Sequence, residues 1–116
     1  MEKDYRYLLT QKILHLHGIN AGDKFDTKKE KIVHSWWDRY IRYKKDDDNR
    51  YDLVEYIKNL VIELSQQAMD DEILDLKDKL YEAIIVLKQT YRKDTKIKSR
   101  LDTELLKLKK LTRPED

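Results

Sequence analysis

Apolar residues recur at helical spacing along most of the chain, and polar breaks divide them into five segments. In the first, about Asp4 to His17, the residues Tyr5, Leu8, Leu9, Ile13 and Leu16 share one side of a helix. Gly18 follows the last of them, where a glycine can take the positive φ that closes a helix. The stretch 18–23 reads as a loop.

The second segment runs from about Thr27 to Lys45, with Ile32, Val33, Trp36, Trp37, Tyr40 and Ile41 as its apolar side. Thr27 and Glu30 have the spacing of a capping box, and Phe25 is placed to staple the start of the helix. Asp46-Asp47-Asp48-Asn49 is a helix break, because Asp and Asn compete for backbone hydrogen bonds.

The third segment, about Arg50 to Gln67, carries a broad apolar face: Leu53, Val54, Tyr56, Ile57, Leu60, Val61 and Leu64. Such breadth predicts a helix with several neighbours. A turn is expected near Met69-Asp70. The fourth segment then spans about Asp71 to Lys93, where Ile73, Leu76, Leu80, Ala83 and Leu87 follow the three-four spacing of heptad a and d positions. Asp94 is the expected N-cap of the fifth, about Thr95 to Leu111, with Ile97, Leu101, Leu105, Leu108 and Leu111 as its apolar side. The pattern predicts an all-α protein: a compact bundle of four to five helices with short loops.

The chain has 116 residues, which fits one domain spanning 1–116. With 2 Gly and 1 Pro it lacks the turn formers of an all-β fold and the glycines of a phosphate-binding loop. It has no Cys, so disulfides and cysteine-based zinc sites are excluded. No run of about 18 apolar residues exists to span a membrane. The start, Met1-Glu2-Lys3-Asp4, lacks the pattern of a signal peptide, so a cytoplasmic protein is expected. The bias toward Lys, Asp, Tyr, Ile and Leu fits an AT-rich genome such as that of a phage or a low-GC bacterium.

Net charge is +2, but it is unevenly distributed. Residues 1–45 carry 11 Lys/Arg against 6 Asp/Glu; residues 46–82 carry 4 against 12; residues 83–116 carry 10 against 5. A basic–acidic–basic chain can attract itself or offer separate patches to partners.

Three constellations follow from this layout. The first is aromatic and basic: Trp36 and Trp37 followed by Arg39, Arg42, Tyr43, Lys44 and Lys45. Trp, Tyr and Arg anchor protein interfaces, and Trp37, Arg39, Arg42 and Tyr43 are the leading candidates. Core packing is the competing explanation for the aromatics. The second is acidic: Asp71, Asp75, Asp78 and Glu82 fall within about 60° of one another on the fourth helix, opposite Ile73, Leu80 and Leu87. It reads as a docking surface for a basic partner or as an ordinary solvated face. The third is basic: Lys96, Arg100, Lys107 and Lys110 share one side of the fifth helix. With Lys44 and Lys45 they form the alternative, a nucleic-acid contact.

Catalytic and metal chemistry find no support. His15 and His17 are two apart and point to different helix faces, and the three histidines are expected at the surface or its boundary. The acidic run from Asp46 places Arg50 and Tyr51 where a calcium loop needs a ligand and a glycine. The serines Ser35, Ser65 and Ser99 lie on no glycine elbow. The expectation is therefore a non-enzymatic protein without cofactor that binds a protein partner, as a regulator or inhibitor of a larger assembly. Nucleic-acid binding is the alternative, and pairing between copies through the heptad-like helices is a third possibility.

Overall fold

The computed structural model describes residues 5–20, 22–46 and 52–112, except for the side chains of 43–46. The described residues form five helices and no strand, so the protein is all-α as its periodicity predicts. The chain divides into two compact units, Met1–Leu53 and Val54–Asp116. None of these helices is long and apolar enough to cross a membrane.

The first unit is a helical hairpin. Helix α1 spans Tyr5–Leu16 and α2 spans Lys28–Asp46. In α1, Leu9, Thr10, Ile13 and Leu14 are buried. The buried Thr10 hydroxyl donates to the Arg6 carbonyl at 2.8 Å, so its burial leaves no donor unmet. Leu8, read as part of the apolar side, is instead exposed, because the buried arc is centred between Leu9 and Leu14 and Leu8 lies about 170° around the helix from that centre.

Gly18 ends α1 with φ 66°. Its N–H donates to His15 O at 3.0 Å, and Ile19 N–H donates to Leu14 O at 2.9 Å. This is a Schellman motif, and buried Ile19 and Leu14 supply the apolar contact that accompanies it.

Before α2, Thr27 Oγ1 accepts from Glu30 N–H at 3.1 Å, as the capping box predicts. The reciprocal bond is displaced by one residue: Glu30 Oε2 accepts from Asp26 N–H at 2.9 Å. Phe25 does not staple the first turn. Its ring lies 3.8 Å from that of His34, centroid to centroid. Helix α2 ends at Asp46, the first residue of the expected break; Asp47, Asp48, Asn49 and Arg50 lie outside the described residues.

The second unit holds three helices. Helix α3 spans Leu53–Ser65, α4 Asp71–Thr90 and α5 Thr95–Lys109. The broad face of α3 is buried as predicted, from Val54 through Tyr56, Ile57, Leu60 and Val61 to Leu64. The expected break between α3 and α4 is present, and Asp70 caps α4 by accepting from Ile73 N–H at 3.0 Å. Asp94 caps α5 in the same way, accepting from Ile97 N–H at 3.1 Å.

Helices α4 and α5 run antiparallel. Lys77 Nζ donates to Leu111 O at 3.3 Å near one end, and Lys88 pairs with Asp102 at 2.6 Å nearer the other. The heptad-like positions Ile73, Leu76, Leu80, Ala83 and Leu87 are all buried within this one chain. On α5, Leu101, Leu105 and Leu108 are buried, and so is Glu104.

Candidate functional site

The two adjacent tryptophans of α2 separate as helical geometry requires. Trp36 is fully buried, whereas Trp37 is half-buried about 100° further around the helix. Tyr7, on the same side of α1, meets it. The Tyr7 and Trp37 rings are 5.9 Å apart, and each lies 5.6 Å from the ring of Tyr40. Their planes are tilted by 39–50°, within the range in which a ring edge meets a ring face favourably.

Tyr40 is the buried floor of this triangle, while Tyr7 is 38% exposed. Gln11 Nε2, one turn along α1, donates to the Tyr7 hydroxyl at 3.4 Å. Ile41, one turn beyond Trp37 on α2, is 42% exposed and continues the apolar surface. The result is a patch of Tyr7, Trp37 and Ile41 on two helices joined by a capped loop. Exposed residues of this type in contiguity are what interaction surfaces use.

The predicted partners of Trp37 on α2 do not all join it. At about 100° per residue, Arg42 lies some 140° and Arg39 some 160° around the helix from Trp37. Arg42 is exposed and Arg39 half-buried, so they flank a different face. The side chains of Tyr43, Lys44 and Lys45 lie outside the described residues. Tyr7 is the member that sequence reasoning missed. It belongs to the apolar series of α1 only loosely, and its pairing with Trp37 exists only once the hairpin closes.

The acidic residues of α4 occupy its outer face: Asp71, Asp78 and Glu82 are exposed and Asp75 is half-buried, opposite buried Ile73, Leu80 and Leu87. Asp78 pairs with its neighbour Lys77 at 3.5 Å. The basic residues of α5 are likewise exposed, but two of the four face carboxylates. Arg100 pairs with Glu55 of α3 at 3.2 Å, and Lys107 with Glu104 at 3.1 Å. Those two cations are already partly neutralised within the unit, which lowers the potential available to a phosphate backbone.

His34 corrects an expectation. It is buried rather than at the surface, with Nε2 3.2 Å from the Asn20 carbonyl. A carbonyl only accepts, so Nε2 carries the proton, and with the Phe25 ring against it the imidazole anchors the interhelical loop to α2. Comparison of the chain with protein-family models, with curated proteins and with solved structures finds no match.

Proposed function

We infer that the protein is a non-enzymatic binding protein that works in the cytoplasm by occupying a surface of a larger protein assembly, as a regulator or inhibitor. The observation that carries this reading is the half-buried Trp37, held between Tyr7 and Tyr40 with Ile41 exposed beside it. A ring fixed by two neighbours loses little conformational freedom on binding, which is why rigid aromatics make effective anchors. The partner that fits is a protein with an apolar pocket for Trp37 and an acidic rim. That rim would meet the excess of Lys and Arg among residues 1–45 and speed the encounter.

Two features favour this over the alternatives. The Arg100–Glu55 and Lys107–Glu104 pairs engage half of the basic stripe that a nucleic-acid module would use. The heptad-like positions of α4 are buried within one chain, which leaves that seam for internal packing rather than pairing between copies.

The test is affinity capture from the native host with tagged wild type, Trp37→Ala, and a Lys96→Glu/Lys110→Glu double variant, each with and without nuclease. A defined protein retained by wild type and by the lysine variant after nuclease, and lost with Trp37→Ala, is expected. Nucleic acid as the main companion, lost with the lysine variant, overturns the reading in favour of the basic stripe.

A further inference from the structure

Within the second unit, α4 and α5 border a surface groove of about 300 Å³. Half-buried Tyr81 and Ile85 of α4 line it, with Leu105 and Leu106 of α5 opposite. Leu106 is 59% exposed, and no other large apolar side chain among the described residues is as exposed. The Lys88–Asp102 pair closes one end at 2.6 Å, and exposed Lys109 stands toward the other.

The helices beside this groove carry opposite charge on their outer sides. On α4, exposed Asp78 and Glu82 lie about 20° and 60° around the helix from Ile85, on the side away from Tyr81. On α5, exposed Lys110 lies about 40° from Leu106, on the side away from Leu105. The contact of Asp78 with Lys77 is 3.5 Å long and leaves the Asp78 side chain 67% exposed, so its carboxylate is within reach from outside. The antiparallel register set by Lys77 with Leu111 and by Lys88 with Asp102 puts Lys110 level with Asp78.

Such a face is complementary to itself. A two-fold axis parallel to the helices lays α4 of one copy over α5 of the other. It brings Asp78 against Lys110 at two symmetric places, and Leu106 of each copy into the groove of the other. An axis across the helices instead sets acid on acid and base on base, which opposes association. We propose that α4 and α5 pair two copies of the chain about the first axis. With two helices from each copy the interface is small, and the dimer is a weak one, with a dissociation constant of about 10–100 µM. The heptad-like seam stays inside each chain and the aromatic patch of the first unit takes no part, so the proposal stands or falls separately from the partner-binding reading.

The experiment is sedimentation equilibrium of the purified full-length chain over about 5–500 µM, with circular dichroism to confirm that each variant folds. Wild type is expected to pass from monomer to dimer across that range. Leu106→Lys, at an exposed position, is expected to weaken association by about tenfold or more, and Asp78→Lys and Lys110→Glu by about tenfold each. An equimolar mixture of the two charge variants is expected to associate as tightly as wild type, because each chain then supplies the charge that the other lacks. A wild type that stays monomeric throughout overturns the proposal. So does a dimer that Leu106→Lys leaves intact, one that either charge reversal leaves unchanged, or a mixture that associates no more tightly than the single variants.

Discussion

Trp36 and Trp37 are adjacent, chemically identical and the only tryptophans in the chain, so replacing each with alanine isolates the effect of position. Trp36 is 0% exposed. Truncating a fully buried tryptophan costs about 3–5 kcal/mol, through lost transfer energy and the cavity left behind. Domains of this size are stable by only about 5–15 kcal/mol, so that loss is a large share. Trp37 keeps part of its surface in water and contributes chiefly two tilted ring contacts, at 5.9 and 5.6 Å. Such pairs are worth about 0.5–1.5 kcal/mol each, which places Trp37→Ala at about 1–3 kcal/mol. The assay is urea unfolding followed by helical circular dichroism. With a denaturant slope of about 2 kcal/mol/M, the midpoint falls by about 2 M for Trp36→Ala and by about 1 M for Trp37→Ala. Single-tryptophan variants give an independent check: Trp37→Phe, which retains Trp36, should resist acrylamide quenching, and Trp36→Phe should not. Equal midpoint shifts, or the reverse order, would refute the assignment of one ring to the interior and the other to the surface.

Other expectations follow from specific contacts. Leu108→Ala, at a position with no exposure, should cost about 2–5 kcal/mol; Leu106→Lys, two residues away at 59% exposure, should change stability by less than about 0.5 kcal/mol in the same urea titration. Asp94→Ala should cost about 1 kcal/mol by leaving Ile97 N–H without its cap, and Asp94→Asn should recover most of it, since Asn caps equally well. Gly18→Ala places a Cβ at φ 66° and should cost about 1–2 kcal/mol although the space around it is open, with faster amide exchange at Gly18 and Ile19. Lys88→Ala removes a 2.6 Å ion pair between two solvent-accessible side chains and should cost no more than about 0.5 kcal/mol at moderate salt, and less in 1 M salt.

Much of the fold was legible because helical periodicity and capping chemistry agree. Leu60, Leu64, Ile73, Leu80 and Leu101 are buried where the apolar spacing puts them, and Asp70 and Asp94 bracket the interhelical turns of the second unit. Local chemistry also placed the Gly18 ending of α1. The departures come from tertiary pairing. Ile41 lies on the margin of the buried face of α2 and Leu8 on the far side of α1 from its buried arc, and residue type alone does not show which side a neighbour will cover. Tyr7 meets Trp37 only across the hairpin. Glu104 carried a readable signal. It completes an i, i+3, i+4, i+7 series with Leu101, Leu105 and Leu108, so periodicity alone places it on the buried side despite its charge. His34 belongs to no such series with Val33 and Trp36, lying about 160° around α2 from Trp36, and its burial goes with the loop carbonyl of Asn20, which no local pattern announces.

Trp37 is proposed to anchor a protein partner. The most direct measurement is the affinity of the captured partner, once purified, for wild type, Trp37→Ala and Tyr7→Ser, with each variant's fold checked by circular dichroism. Trp37→Ala is expected to weaken binding by about 2 kcal/mol or more, roughly thirtyfold, with a smaller loss for Tyr7→Ser and helicity retained in both. A folded Trp37→Ala protein that binds its partner as tightly as wild type would contradict it.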